Sequence, residues 1–435
     1  MKPLVWKNLS ASARAAALQR PAQSAQPLIA AAVGEIIAQV RRQGDNGLRK
    51  LGKKFDGVDL ASRRVSETEF AAAEKSLSRA EKSALQTAYR NLNRFHFAQR
   101  SAAVRVETMA GIVCEKVVRP IGNVGLYVPG GSAPLFSTAL MLGVPSQIAG
   151  NPVRVLCTPP GRNKIGAVSP WILYAAKLCG ITEVFKVGGA QAIAAMAYGT
   201  ETIPKCDKLF GPGNSFVTEA KLQVSRDAAG AAIDLPAGPS EVLVIADNRA
   251  TPAFVAADLL SQAEHGPDSQ VILVTFSEKF AARVLAELDQ QVAVLPRGDT
   301  ARLALKRSRI FIAANRSEAI EISNRYAPEH LILQVANPRE LLASVTTAGS
   351  VFLGDWTPES LGDYASGTNH VLPTYGWARA CSGLGLSDFS RTMTVQTASI
   401  AGLKKLGPVV ERLALAEGLA AHQRAVRVRL DSLPR

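Results

Sequence analysis

Hydrophobic patterning predicts an α/β fold: two Rossmann-like parallel-sheet domains with helical N- and C-terminal extensions. Three observations predict it. Positions 1–110 place apolar residues at helical spacing, and the middle of the chain alternates short β-branched runs with helical stretches. A βαβα alternation spread over a 435-residue chain also exceeds one such unit.

The elements follow in order. Ala32, Ile36, Ile37 and Val40 mark a helix over 31–42, with Gly44 after it. A second helical stretch runs over 68–93. Strands are expected at 154–158 (RVLCT), 183–187, 208–210, 241–246, 270–276, 309–313 and 331–335. Helices are expected between them at 172–179, 190–198, 215–226, 253–265, 278–290 and 317–325. Residues 355–390 are rich in Gly, Ser, Thr, Asp and Pro, which is loop chemistry. Pro408 suits a helix start, and 409–430 reads as one helix. The expected division is an extension over 1–25, a first α/β domain over 26–125 and 241–380, a second over 126–240, and a C-terminal helical segment over 381–435.

Composition narrows the function classes. Hydrophobic residues are 47% and charged residues 20%, ordinary for a globular protein. The longest apolar stretch, near 134–144, is well short of the ~20 residues a spanning helix needs. The first residues lack a continuous apolar core for secretion, so a cytoplasmic location is expected. Five cysteines, an odd number with no CxxC pair, indicate neither a disulfide framework nor a cysteine-type zinc site. Cys157 and Cys179 stand among apolar neighbours and read as core, and Cys381 lies in a Gly/Ser loop. The net charge of +14 is carried by scattered Lys and Arg with no basic tract, which favours a solvated surface over a nucleic-acid partner.

Chemistry concentrates around four of the five histidines. His96, in RNLNRFHFAQR, reads as a surface-helix residue. In SQAEHG (261–266), Gln262 and His265 are i, i+3 and share one face of a last helical turn. An amide oxygen beside an imidazole suits a borderline divalent ion such as zinc. APEH (327–330) presents Glu329 and His330 between a helix and a strand, an arrangement suited to paired general bases. In LGDYASGTNHVLPT (361–374), Asp363 and His370 bracket a polar turn. In AEGLAAHQRAV (416–426), Glu417 and His422 are i, i+5 and flank Gly418, whose cost inside a helix is about 1 kcal/mol and hints at close packing. GPGNSFVTEAK (211–221) opens a helix whose free N–H groups suit an anion. Phe216 stands where G-x-G-x-x-G needs its third glycine, so the usual dinucleotide fingerprint is absent. IDLPAGPSE (233–241) sets Ser240 just before a strand.

Together these segments resemble the histidinol dehydrogenase family. IDLPAGPSEVLVIAD followed by ADLLSQAEHG matches the family signature. APEHL, GD with SGTNHVLPT, EGLAAH, GLYVPGG, VGGAQAIAA and FGPGN occur in the family's order. The likeness is close from Val118 onward and loose before it. It implies oxidation of L-histidinol through the aldehyde to L-histidine, with two hydride transfers to NAD, as the last step of histidine biosynthesis. It also implies one Zn2+ per subunit held by Gln262, His265, Asp363 and His422. Ser240, His330, His370 and Glu417 match residues at the substrate, which the metal ligands border. Glu329 and His330 match the catalytic pair, and Tyr127, Gln191 and Asn214 match residues at NAD. In the family the C-terminal segment is exchanged between subunits, which implies a homodimer with shared active sites.

Three competing readings are weaker. A zinc hydrolase has no HExxH to stand on, and a non-catalytic binding protein leaves the Glu329–His330 pair unexplained. A relative acting on a sulfonated diol is disfavoured by Glu417, because a carboxylate suits an amino group and repels an anionic tail.

Overall fold

The computed structural model describes the chain except residues 21–25, 61, 131–134, 162–165, 236–237 and 434–435. Parts of the GLYVPGG and IDLPAGPSE motifs therefore lie outside the described residues. The chain forms two compact units, one of Met1–Gln99 with Ile121–Phe389 and the other of Arg100–Pro120 with Ser390–Arg435.

Among the described residues, the first unit contains two all-parallel sheets, as the patterning predicts. The six-stranded sheet runs Pro3–Val5, Arg309–Ile312, Gln270–Thr275, Glu241–Ala246, His330–Gln334, Ser350–Leu353. Its central strands are buried along their whole length, which explains why they read as unbroken apolar runs. The five-stranded sheet runs Glu183–Lys186, Val153–Thr158, Asn123–Tyr127, Lys208–Phe210, Ala232–Ile233. Cys157 and Cys179 are buried in its cores.

The N-terminal region departs from an all-helical reading. Pro3–Val5 pairs with Ile310–Ile312 at the sheet edge, with Pro3 opposite Ile310. The helix Gln26–Phe55 continues past Gly44 through a kink at φ 51°, ψ −130°. A Cβ there would collide with the Glu201 carboxylate, which accepts the Asp45 N–H at 2.7 Å. The 68–93 stretch is two helices, Glu67–Ser76 and Arg79–Phe97. Each starts on a capping box, Ser66 with Glu69 and Ser78 with Glu81. His96 is a correction to the surface reading. It is fully buried, with Nδ1 3.3 Å from Gln99 Oε1, because it lies on the stripe of Leu85, Ala88 and Leu92.

The second unit has an antiparallel sheet of Val104–Met109, Ile112–Pro120 and Ser390–Ala398, together with a helical hairpin. The alternation Val104, Arg105, Val106, Glu107 was a period-two signal within the stretch read as helical. The last helix is also corrected. It breaks into Ile400–Ala416 and Ala420–Asp431. Gly418 sits at φ 74° with open space around its Cβ position, so it is there for the left-handed turn and not for close packing. The Leu419 N–H closes that turn on the Ala414 carbonyl at 2.8 Å. Pro408 lies inside the first of these helices rather than at its start. Across the hairpin, the buried Glu411 accepts from Gln423 at 3.0 Å and pairs with Arg427 at 2.7 Å.

Candidate active site

The helix Arg316–Tyr326 ends on Ala327 in a left-handed conformation, φ 55°, which a non-glycine residue adopts only under constraint. Pro328 follows, and His330 opens the buried strand His330–Gln334 opposite Val242. Glu241, at the start of the neighbouring strand, holds both residues of the pair. Its N–H donates to Glu329 Oε2 at 2.8 Å, and its carbonyl lies 3.0 Å from His330 Nδ1. Nδ1 therefore carries the proton, and Nε2 is left as the basic nitrogen. Nε2 is buried and makes no hydrogen bond among the described residues. Asp363 Oδ1 faces it at 3.5 Å, close enough for charge attraction but long for a hydrogen bond.

The helix Pro252–Ala263 supplies Asp258 and Gln262 four residues apart on one face, and His265 follows its end. The amide of Gln262 is oriented by Glu359. The satisfied orientation puts its nitrogen 2.6 and 3.1 Å from the two carboxyl oxygens, which turns the amide oxygen the other way. Glu359 and Asp363 are themselves i, i+4 on the short helix Glu359–Tyr364. His370 folds back on that helix, with Nδ1 2.8 Å from the Asp363 carbonyl and Nε2 3.2 Å from Thr138 Oγ1. Gln262, His265, Glu329, His330, Asp363 and His370 thus form one neighbourhood in the first unit.

Burial and mutual charge set the protonation of this group. Burial pushes the Glu329 carboxyl up to about 8 and that of Glu359 well above its ordinary value. Burial alone would lower His330, but Glu359, Glu329 and Asp363 outweigh it and raise it well above an ordinary histidine. Burial likewise raises Asp363, but His330 more than offsets that and keeps it ionised. His265 and His370 are lowered, chiefly by burial, and are neutral at physiological pH. Burial raises Asp258 to about 7, against the hydrogen bond from Gln334 at 2.6 Å. An acid raised on folding stabilises the fold fully below its unfolded pKa, and that contribution is lost as pH rises to the folded value. Asp258 alone should therefore cost on the order of 4 kcal/mol of stability as pH rises from about 4 to about 7. Asp258→Asn, whose carbonyl can still accept from Gln334, should flatten the fall in melting temperature over that range. An unchanged slope in a calorimetric pH series would refute this.

Two cavities lie in the first unit, and one of them reaches the site at His265. One of about 330 Å³ is lined by Ser240, His265, Gly213 and Asn214. The other, of about 500 Å³, is lined by Tyr127, Gln191, Gly189, Phe216 and Asn214. Asn214 is common to both, so the residues expected at NAD share one cavity that adjoins the other at Asn214. The Asn214 side-chain oxygen caps its helix, accepting from Phe216 N and Val217 N at 3.1 Å each, so those two N–H groups do not wait for a phosphate. Tyr127 accepts from Gly189 N at 3.0 Å, and burial pushes its hydroxyl up to about 12.

Glu417 and His422 are exposed residues of the second unit on different helices, Glu417 capping the first and His422 in the first turn of the second. The reading of both on one continuous helix is therefore corrected. Among the described residues no three His, Cys, Asp or Glu side chains form a metal-holding group. Of the four expected ligands, Gln262 is an amide and His422 belongs to the second unit, which leaves His265 and Asp363 as the only such pair in the first. Sequence reasoning missed Glu241, Asp258, Gln334 and Glu359. Signals for two of them existed: Asp258 is the only charged residue of its helix, and Glu359 stands at i−4 from Asp363.

The family described as histidinol dehydrogenase matches residues 18–430. The chain is 58% identical over 433 residues to the histidinol dehydrogenase of Photobacterium profundum, covering 100% of this chain and 96% of that one. Identity to the Escherichia coli (strain K12) histidinol dehydrogenase is 55% over 428 residues, covering 98% and 97%. The crystal structure of histidinol dehydrogenase from Elizabethkingia anophelis superposes with a TM-score of 0.94 at 47% identity, covering 99% of this chain and 98% of that one.

Proposed function

Because the chain belongs to the histidinol dehydrogenase family, we propose that it oxidises L-histidinol through the aldehyde to L-histidine with two NAD reduced in succession, the last step of histidine biosynthesis. The observation that carries the mechanism is the buried Glu329–His330 pair, fixed by the backbone of Glu241, with an unpartnered Nε2 aimed at the Asp363 side of the site.

Oxidising an alcohol requires its hydroxyl proton to leave as the hydride departs, and His330 Nε2 is the acceptor for it. Nδ1 stays protonated on the Glu241 carbonyl, which fixes the tautomer. Surrounding carboxylates raise the proton affinity of this imidazole, so only molecules with Nε2 unprotonated accept the hydroxyl proton, a fraction that grows as pH rises. The aldehyde must then be hydrated, and ionised Glu329 activates the water. Tyr127, Gln191 and Asn214 would hold NAD, which takes up the hydride.

The donor set suits a zinc ion. Gln262 turns its amide oxygen away from Glu359, His265 is neutral, and Asp363 is ionised. With His422 these residues would hold Zn2+, one per subunit, which when bound supplies a Lewis acid that anchors the imidazole and amine of the substrate. Ser240, His370 and Glu417 complete the substrate contacts in this reading.

We place His422 and Glu417 in the site of a second copy, so that the working enzyme is a homodimer with shared sites. Ile400, Leu413 and Leu415 of the second unit, 61%, 62% and 58% exposed on the single chain, suit a face that a second copy would cover. No helix among the described residues is long and apolar enough to cross a membrane. All five cysteines are free, in keeping with the cytoplasmic location proposed here.

The test is NADH absorbance with L-histidinol. Zinc-loaded protein is expected to form two NADH per histidinol consumed, and chelated protein none. One NADH per substrate, or none from loaded protein, would refute the four-electron reading.

A further inference from the structure

Resting on that reading, we propose that Arg20 is a positioning residue for the Glu329–His330 pair, acting through Glu241 and the carbonyls of Tyr326 and Ala327. Its guanidinium grips the Glu241 carboxylate with two donors, Nε to Oε1 at 2.5 Å and Nη2 to Oε2 at 2.8 Å. Nη2 also donates to the Tyr326 carbonyl at 2.9 Å and the Ala327 carbonyl at 3.3 Å. The same group lies 4.0 Å over the Tyr326 ring. Glu241 is buried and Arg20 largely so, with 2% and 11% of their side chains exposed.

Two independent paths therefore lead from one side chain to the reacting pair. The first passes through Glu241. Its carboxylate is held by Arg20 and by the Tyr375 N–H at 2.9 Å, while its backbone N–H and carbonyl hold Glu329 and His330. The second passes through the chain itself. Tyr326 and Ala327 form the helix end and the left-handed turn directly before Pro328-Glu329-His330, and that turn needs external restraint to persist. Arg20 ties the carbonyls of both residues. The planar fork reaches all four acceptors at once, with one Nη2 hydrogen shared, whereas an ammonium is a point charge that does not span them. Arg20 touches neither Glu329 nor His330 in these contacts, so its effect is on their placement and not on the chemistry.

The test compares full-length wild type, Arg20→Lys and Arg20→Ala, each checked for folded fraction by circular dichroism. Arg20→Ala is expected to lose about 100-fold in kcat per folded molecule and Arg20→Lys about tenfold. KM for L-histidinol and for NAD should stay within about threefold, since the contacts that bind them remain. Wild-type kcat in either folded variant would overturn the proposal, as would KM rising by as much as kcat falls. If Arg20→Ala does not fold, Arg20→Lys decides on the same criteria. A crystal structure of Arg20→Lys tests placement without turnover: Glu329 is expected to leave the Glu241 N–H, and retention of the 2.8 Å contact with Glu329 and His330 unmoved would overturn the positioning role. A wild type that makes no NADH from histidinol refutes the proposed function instead and leaves the structural arm to decide on Arg20.

Discussion

Glu329→Gln is expected to leave L-histidinol binding within about threefold of wild type while oxidation of the aldehyde slows by about 10²–10⁴-fold, the usual worth of a positioned base. The substitution is mild structurally. Glu329 is buried, and its Oε2 accepts the Glu241 N–H at 2.8 Å, a bond that the amide oxygen of glutamine can still accept. What is lost is the ionised form. Burial pushes this carboxyl up to about 8, so at neutral pH only a minority is charged and able to take a proton from water. The sign follows: the wild-type rate of the second half-reaction should rise with pH through about 8. Glu329→Gln should lack that rise. Stopped-flow NADH formation, started from histidinol and separately from the aldehyde, resolves the two halves. Full aldehyde turnover in the variant would remove Glu329 from its assigned role.

Mixing two inactive variants should restore activity if sites are shared. His422→Ala lacks the metal ligand proposed on the second unit, and Glu329→Gln lacks the base proposed on the first. In a mixed homodimer with exchanged segments, one site collects both defects and the other neither. Random re-pairing should then recover about a quarter of wild-type turnover from two preparations that are each nearly inactive. Within a chain that completes its own site, every site carries a defect and the mixture stays inactive. Zinc content measured on the same samples gives a second readout, with His422→Ala alone expected to lose most of its metal.

The sheets were legible because parallel strands buried on both faces leave unbroken runs such as Glu241–Ala246 and Gln270–Thr275. The motif residues were legible because glycine, proline and paired donors cluster there. The rest failed for identifiable reasons. Pro3–Val5 is too short to show periodicity and gains its identity from a partner some three hundred residues away. The break at Gly418 was hidden because alanine and leucine continue on both sides of it, and only its φ of 74° distinguishes a turn from a tolerated glycine. Arg20, Glu241 and Glu359 were given no role from the sequence, since burial of a charge is decided by partners distant in sequence. His96 shows the opposite error, a polar residue on the buried stripe of its helix.

The pairing of Pro3 with Ile310 also bears on how the chain is made. The strand Pro3–Val5 cannot find its neighbour until the strand Arg309–Ile312, some three hundred residues later, has emerged from the ribosome. The second unit is likewise divided, with Ile112–Pro120 waiting for Ser390–Ala398. Such long-range closures slow folding and leave strand edges uncovered meanwhile. During synthesis the five-stranded sheet, whose strands all fall between Asn123 and Ile233, is the part that can mature first. Slowed translation beyond residue 233 should therefore favour correct assembly more than slowed translation before it.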